Sequence, residues 1–396
     1  MRVFSVIASR IFLIECVVAA AITAGFARER GPRVEVSCPV PPSAVKLAEH
    51  QVLVYELHIT NFDVAPVTLR RMEIFADAEK GKPLKSLSGD ALSAAMIKIG
   101  SNMGMAGSTD ASGAGSSQTI EPGRRAVVFL WIELAAEARL PESLRHRMVF
   151  AAGEPGKDAG NVAESALEDF PVPVSHEPAL MLSPPFEGGV WLAGAGPGND
   201  SDHRRSLMAI DGRVYDAQRF AIDWMKVGPN GDSHHDGTAR NENFWGYGEA
   251  IHAVAEGEVT DVIDGIPENT PRVLPKPVTL DNISGNYVIL RIAANRYVTF
   301  AHLQKGSIKV ALHEHVARGT VIARLGNTGQ ATAPHLHFQV TDGNSVLESE
   351  GVPFVFAGFT DLGPGSVYEL DKHSSASRTN SIPGNDEVID LGVTKN

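Results

Sequence analysis

Hydrophobic and polar positions alternate with a period of two over several stretches of the chain, the signature of strands that present one face to a core. In residues 51–60, Leu53, Tyr55, Leu57 and Ile59 fall on one face and Val52, Val54, Glu56 and His58 on the other. Residues 67–75, 126–134 and 147–150 read similarly. Turn material such as Glu121-Pro122-Gly123 separates these runs and no strong helical period intervenes, so residues 33–175 predict a small β-sandwich-like domain. Residues 100–117, rich in Gly and Ser, predict a loop within it. His50, His58 and His146 have no partner spacing and read as solvated or strand-surface side chains. No chemistry is evident in this half.

Phe170-Pro171-Val172-Pro173 and Ser183-Pro184-Pro185 impose extended backbone and deny ladder hydrogen bonds, which predicts a Pro/Gly-rich linker over residues 176–204. A second β-rich domain follows over 205–362, and the polar residues 363–396 predict a disordered tail. At the other end, Arg2 and Arg10 precede an apolar run over 11–26, with Gly25 and Ala27 at its exit. Residues 1–27 thus have the layout of a secretory signal, or of an uncleaved anchor. The run falls short of the roughly 20 residues of a comfortable membrane span. No stable transmembrane helix is expected after processing.

Composition narrows the chemistry. Of 396 residues, 35 are Lys or Arg and 47 are Asp or Glu, a net charge of -12 that argues against nucleic acid as the main partner. Removing residues 1–27 takes away two arginines and one glutamate, which leaves the chain still acidic. Cys16 and Cys38 are the two cysteines, too few for a disulfide scaffold or a cysteine zinc cage. Any metal must be held by His, Asp or Glu. Nine of the 14 histidines lie between His203 and His337.

Within that span, His335-Leu336-His337-Phe338 reads as a strand with both imidazoles on one face. His302 ends another alternating strand that runs from Arg296, and Asp223 sits among apolar neighbours in Phe220-Ala221-Ile222-Asp223-Trp224. Three histidines and a buried aspartate suit a zinc site that keeps one position open for water. His313 and His315 precede the turn at Gly319 and read as surface residues, and His252 reads as outward-facing.

A longer string of elements runs through the same region. It comprises Gly248-x-x-Ile251-x-Ala253-x-x-x-Gly257-x-Val259, Gly285-Asn286-Tyr287-Val288-Ile289, Tyr297-x-x-Phe300-Ala301-His302-Leu303, Gly326-Asn327-Thr328-Gly329 and Pro334-His335-Leu336-His337-Phe338. Over residues 205–345 this resembles the lysostaphin-type, or LytM-like, zinc metallopeptidases. The resemblance implies an all-β chain whose rear half is an antiparallel LytM-like domain, a duplicated hybrid motif with a groove for peptidoglycan peptides. It implies Asp223 and His337 as zinc ligands, and His302 and His335 as the catalytic pair. It also implies an exported protein of the bacterial periplasm or cell envelope, whose partner is peptidoglycan peptide or a cell-wall protein.

One position departs from the family pattern. The residue four before the ligand aspartate, a histidine ligand in the family, is Arg219 here, and a guanidinium has no lone pair to offer a metal. Three arrangements are open. Another imidazole enters, from His203 or from His234 and His235 in the insertion over 224–247; or His302 or His335 ligates directly; or Arg219 fills the hole against Asp223 and no metal binds. The first two give a zinc peptidase. The third gives a catalytically degenerate relative that holds wall peptide, or regulates another wall hydrolase, in a groove lined by His302, His335, His337 and Tyr297. The insertion itself has the length to lie over that groove.

Overall fold

The computed structural model describes residues 31–77, 81–99, 118–152, 164–229, 231–365 and 375–393, and within them the chain is almost entirely β. The export segment over 1–27 and the Gly/Ser-rich stretch over 100–117 lie outside the described residues. Two five-stranded sheets form the front half. In one, His50–Asn61 lies between Val34–Ser37 and Arg125–Ala135, and Ser43–Leu47 folds back onto it. In the other, Ser143–Ala152 lies between Glu164–Pro173 and Val67–Ala76. Leu53, Tyr55, Leu57 and Ile59 join Leu69, Met72, Ile74, Met148 and Phe150 in one buried cluster.

The other face of His50–Asn61 does not meet solvent. Every side chain from Val52 to Ile59 is buried, because Val52 and Val54, with Trp131, belong to the core of the rear half. Alternation correctly separates the two faces of this strand, but its second face is an internal one. His58 is accordingly buried rather than solvated, and His146 is buried inside the sandwich between Tyr55 and Phe170.

An 11-stranded sheet organises the rear half. Gly188–Gly194, Ile222–Lys226, Leu336–Thr341, Arg296–Leu303 and Asn286–Ala293 follow one another across it, each antiparallel to the next. Two expected boundaries are corrected. Leu180–Leu182 pairs with Phe354–Pro364, and Gly188–Gly194 pairs with Ile222–Lys226, so much of 176–204 is sheet rather than linker. Ala376–Ser381 and Glu387–Val393 both pair with Phe354–Pro364, so these tail residues are strands. The polar look of the tail has a physical reason. Ala376–Ser381 leaves most of its side chains at least partly exposed, while Ile382, Val388 and Ile389 supply the burial.

Front and rear share a core. Val45, Val52, Val54 and Trp131 are continuous with Phe186, Trp191, Trp224 and Phe356, and Ile382 N–H donates to the Lys46 carbonyl at 2.9 Å. Among the described residues no helix is long and apolar enough to cross a membrane.

Burial of the front-half histidines makes the fold sensitive to acid. His146 Nδ1 donates to the Phe170 carbonyl at 2.9 Å and Nε2 accepts from the Tyr55 hydroxyl at 2.7 Å. Burial, outweighing the Phe170 carbonyl, pushes its pKa down from 6.5 to about 4. His58 falls to about 4 as well, again through burial, with Glu56 pulling the other way. Depressed histidine pKa values contribute stability that is present above the unfolded value and lost as pH falls through the folded one. The expected outcome is an unfolding free energy, read from urea titrations, that falls between pH 6.5 and 4 by about 3 kcal/mol for each histidine. A His146→Gln variant should lose its share of that slope; an unchanged slope would contradict the assignment.

Candidate metal centre and catalytic cleft

Strand register builds the site. Asp223 lies directly opposite His337, and His337 opposite Ala301, on three neighbouring strands. Residues opposite one another share a face, so Asp223 and His337 project together while Leu336 and Phe338 enter the core. His302 follows Ala301 with φ of 61°, in the left-handed region that non-glycine residues seldom occupy. Its N–H donates to the Ser284 carbonyl at 3.1 Å and its Nδ1 meets the Thr328 carbonyl at 2.8 Å. Gly285 makes that crossing possible: its φ is +62°, and a Cβ there would stand 2.4 Å from Thr328 Oγ1.

The third ligand-type side chain comes from the 3₁₀ turn His203–Arg205. Ligand atoms of His203, Asp223 and His337 all lie within 4.8 Å of one another. His203 Nε2 is 3.5 Å from Asp223 Oδ2, and His337 Nδ1 is 3.0 Å from Asp223 Oδ1. His335 Nε2 also stands 3.5 Å from Asp223 Oδ2, and the His302 and His335 rings are 4.7 Å apart. Of the open arrangements, the structure therefore brings in His203. Arg219 does not fill a hole against Asp223. It is buried and turned the other way, with Nη2 at 2.9 Å from Glu56 and 3.0 Å from Glu350, and Nη1 donating to the Gly351 carbonyl at 3.1 Å.

Hydrogen bonding assigns the tautomers. The Thr328 and Ala333 carbonyls can only accept, so His302 and His335 carry hydrogen on Nδ1 and leave Nε2 free. His337 is the reverse. Gln339 donates its amide to the Val346 carbonyl at 2.8 Å, which turns its oxygen towards His337 Nε2, also at 2.8 Å. Nε2 therefore carries the hydrogen, and the Nδ1 lone pair points at a carboxylate oxygen 3.0 Å away. Two lone pairs at that distance require a cation, a proton or a metal ion, to join them. The His203–Asp223–His337 set fits a metal on this ground.

Charge follows the same logic. Burial alone would raise the Asp223 carboxyl, but the His203, His335 and His337 imidazoles hold it well below the usual range. Burial would lower His337, yet the Asp223 contact raises it. His302 is pushed well down by burial and by its histidine neighbours, so it rests as the neutral base.

These groups line a cleft of about 290 Å³ whose other walls include Gln218, Leu274, Ile283, Ser284, Gln330 and Leu347. His234 and His235 are not among its lining residues. His234 stacks near Phe244, and His235 Nδ1 meets Asp236 at 2.8 Å in their own loop. Tyr297 is absent from the lining too; its register partner is Thr341, at the far end of that strand from His337. The insertion over 224–247 contributes no lining residue, whereas the segment over 264–285 contributes Leu274, Ile283 and Ser284. His252 is buried, its Nδ1 on the Gly319 carbonyl at 2.9 Å. Gln339 escaped the sequence reading, although its position two residues beyond His337 on a strand places both on one face.

Residues 235–348 match the model of Peptidase family M23. That match takes in less than a third of the chain. The M23 match begins after Asp223, so it takes in His302, His335 and His337 but not His203 or Asp223. Among curated relatives, the peptidoglycan DD-endopeptidase ShyC of Vibrio cholerae is 42% identical over 60 residues, 15% of this chain and 13% of that protein. An uncharacterized metalloprotease of Haemophilus influenzae is 32% identical over 80 residues, 19% of this chain and 16% of that protein. The chain thus spans less than a fifth of the length of the curated relatives it matches. Among solved structures, the catalytic domain of lysostaphin from Staphylococcus simulans is 18% identical and covers 41% of this chain and 86% of its own, with a TM-score of 0.24. A zinc-containing peptidase from Vibrio cholerae is 13% identical and covers 73% and 77%, with a TM-score of 0.22. At those scores the overlap decides nothing about the site.

The tautomers are directly measurable. Long-range ¹⁵N–¹H spectra of metal-free protein should show Nδ1–H for His302 and His335. For His337 they should show an Nε2 hydrogen that a Gln339→Leu substitution releases to exchange. Nε2–H tautomers at His302 and His335 would contradict the geometry.

Proposed function

We propose that the chain is an exported zinc metallopeptidase that cuts peptide bonds in the cross-links of bacterial peptidoglycan. The reading is carried by the meeting of His203, Asp223 and His337 around one point beside His302 and His335. Two imidazoles and a carboxylate suit zinc and leave a coordination position open. Zinc in such a set supplies Lewis-acid polarisation of a carbonyl and a nucleophilic water near neutral pH.

The chain's own residues divide the remaining work. Asp223 and His337 are set by strand register, and Gln339 keeps the His337 lone pair aimed at the site. His302 and His335 each rest Nδ1–H on a main-chain carbonyl and offer Nε2 to the cleft. An Nε2 so placed takes a proton from water and returns it to the departing amine, and its protonated form steadies negative charge on the carbonyl oxygen. The match of residues 235–348 to a peptidase family supports the reaction class, and the name of the Vibrio relative supports the substrate class. A degenerate, binding-only role takes its motive from Arg219 at the usual ligand position. It loses that motive with His203 in the set.

The test is zinc content and peptidoglycan digestion followed by mass spectrometry of released fragments. Wild type should hold one zinc and release cross-link fragments. His335→Ala should keep zinc and lose about 100-fold or more in kcat. His203→Ala should lose more zinc affinity than the roughly 10- to 100-fold cost of an outer-shell change, and Arg219→His should gain none. A wild type that binds no zinc, or binds it and cleaves nothing, would overturn the enzyme reading.

A further inference from the structure

The turn that carries His203 is anchored in good part by the front sandwich. Arg204, fully buried, donates from Nη2 to the Tyr55 carbonyl at 2.9 Å and from Nη1 to Asp216 at 3.0 Å, and its Nη1 also pairs with Glu56. Its guanidinium carbon lies 4.9 Å from the centre of the Phe129 ring. Arg205 donates to the Ala94 carbonyl at 2.8 Å and to the Asn199 carbonyl at 2.9 Å, and Asn199 in turn donates to the Phe129 carbonyl at 3.2 Å. Tyr55, Glu56, Ala94 and Phe129 all belong to the front half. Arg204 and Arg205 therefore reach one way into the sandwich while His203 reaches the other way, to Asp223.

We infer that the front sandwich is a working part of the metal site. Glu56, acting through Arg204, is a positioning residue that holds His203 within reach of Asp223 and His337. Arg219 shares that task by pairing with both oxygens of Glu56, Nε at 3.1 Å from one and Nη2 at 2.9 Å from the other. Arg219, which stands where the family pattern has a ligand, thus helps to hold the turn of His203. Asp223 and His337 need no such support, because adjacent strands set them.

The inference rests on the metallopeptidase reading, and the experiment separates the two. Zinc affinity of the full chain is measured by competition with a chromophoric chelator, and ligand geometry by the visible spectrum of the cobalt-substituted protein. Wild type and His203→Ala set the limits; absence of zinc binding in wild type defeats the metallopeptidase reading itself. Given wild-type binding, Glu56→Gln should weaken zinc about 10- to 100-fold and move the cobalt spectrum towards that of His203→Ala. Glu56→Asp should recover part of both. Arg205→Ala combined with Asn199→Ala loosens the turn without disturbing the buried charges, and should weaken zinc by several-fold. If Glu56→Gln does not fold, this pair decides. Folded variants with wild-type zinc affinity and cobalt spectrum would overturn the inference while leaving the peptidase reading intact.

Discussion

A buried charge cluster between front and rear is the constraint on which the molecule turns. Arg204 and Arg219 meet Glu56, Asp216 and Glu350, each with its side chain at most 8% exposed. Removing one member of a buried pair costs about 3–5 kcal/mol, because its partner is left charged and unsolvated. The cluster therefore tolerates little change in how front and rear are docked. Asp216 is pushed up by burial and by Glu56 and Glu350, against the pull of the arginines. Two guanidinium charges are thus met by three carboxyl groups, of which Asp216 holds its proton more firmly than usual.

That rigidity has a chemical use. A metal site assembled wholly from neighbouring strands inherits its precision from hydrogen-bond register, as Asp223 and His337 do. A ligand on an irregular turn has no register to inherit and must be fixed by side-chain contacts. Here those contacts are charged, buried and shared between two domains. The front sandwich contributes a docking face that includes Val52, Val54, Glu56, Phe129 and Trp131.

Strand patterning made much of the fold legible. The alternation over 51–60 and the placing of His335 and His337 on one face correspond to His50–Asn61 and to the strand Leu336–Thr341. The tail strand Ala376–Ser381 was not legible, because it has too few apolar residues to show a period. Nor was the burial of His58, since a polar strand face looks the same whether it meets water or another part of the fold, whereas His146 shares the inward face of its strand with Leu144 and Met148. The insertion over 224–247 drew attention by its length, whereas the cleft wall comes from residues 264–285.

By itself the sequence determined the chemistry available: no cysteine cage, a carboxylate among apolar residues, paired histidines on a strand, and an arginine that no metal can use. These are properties of residue type and short spacing, which local backbone geometry preserves. Only the tertiary structure decided that His203 completes the set. That residue lies 20 positions before Asp223 on a short turn, and its neighbour Arg204 pairs with Glu56, almost 150 residues earlier in the chain. Contacts at such separation arise from the docking of one domain on another and leave no trace in local pattern. For the same reason Arg219 looked like a lost ligand from its position alone, and only the carboxylates around it reveal what it holds.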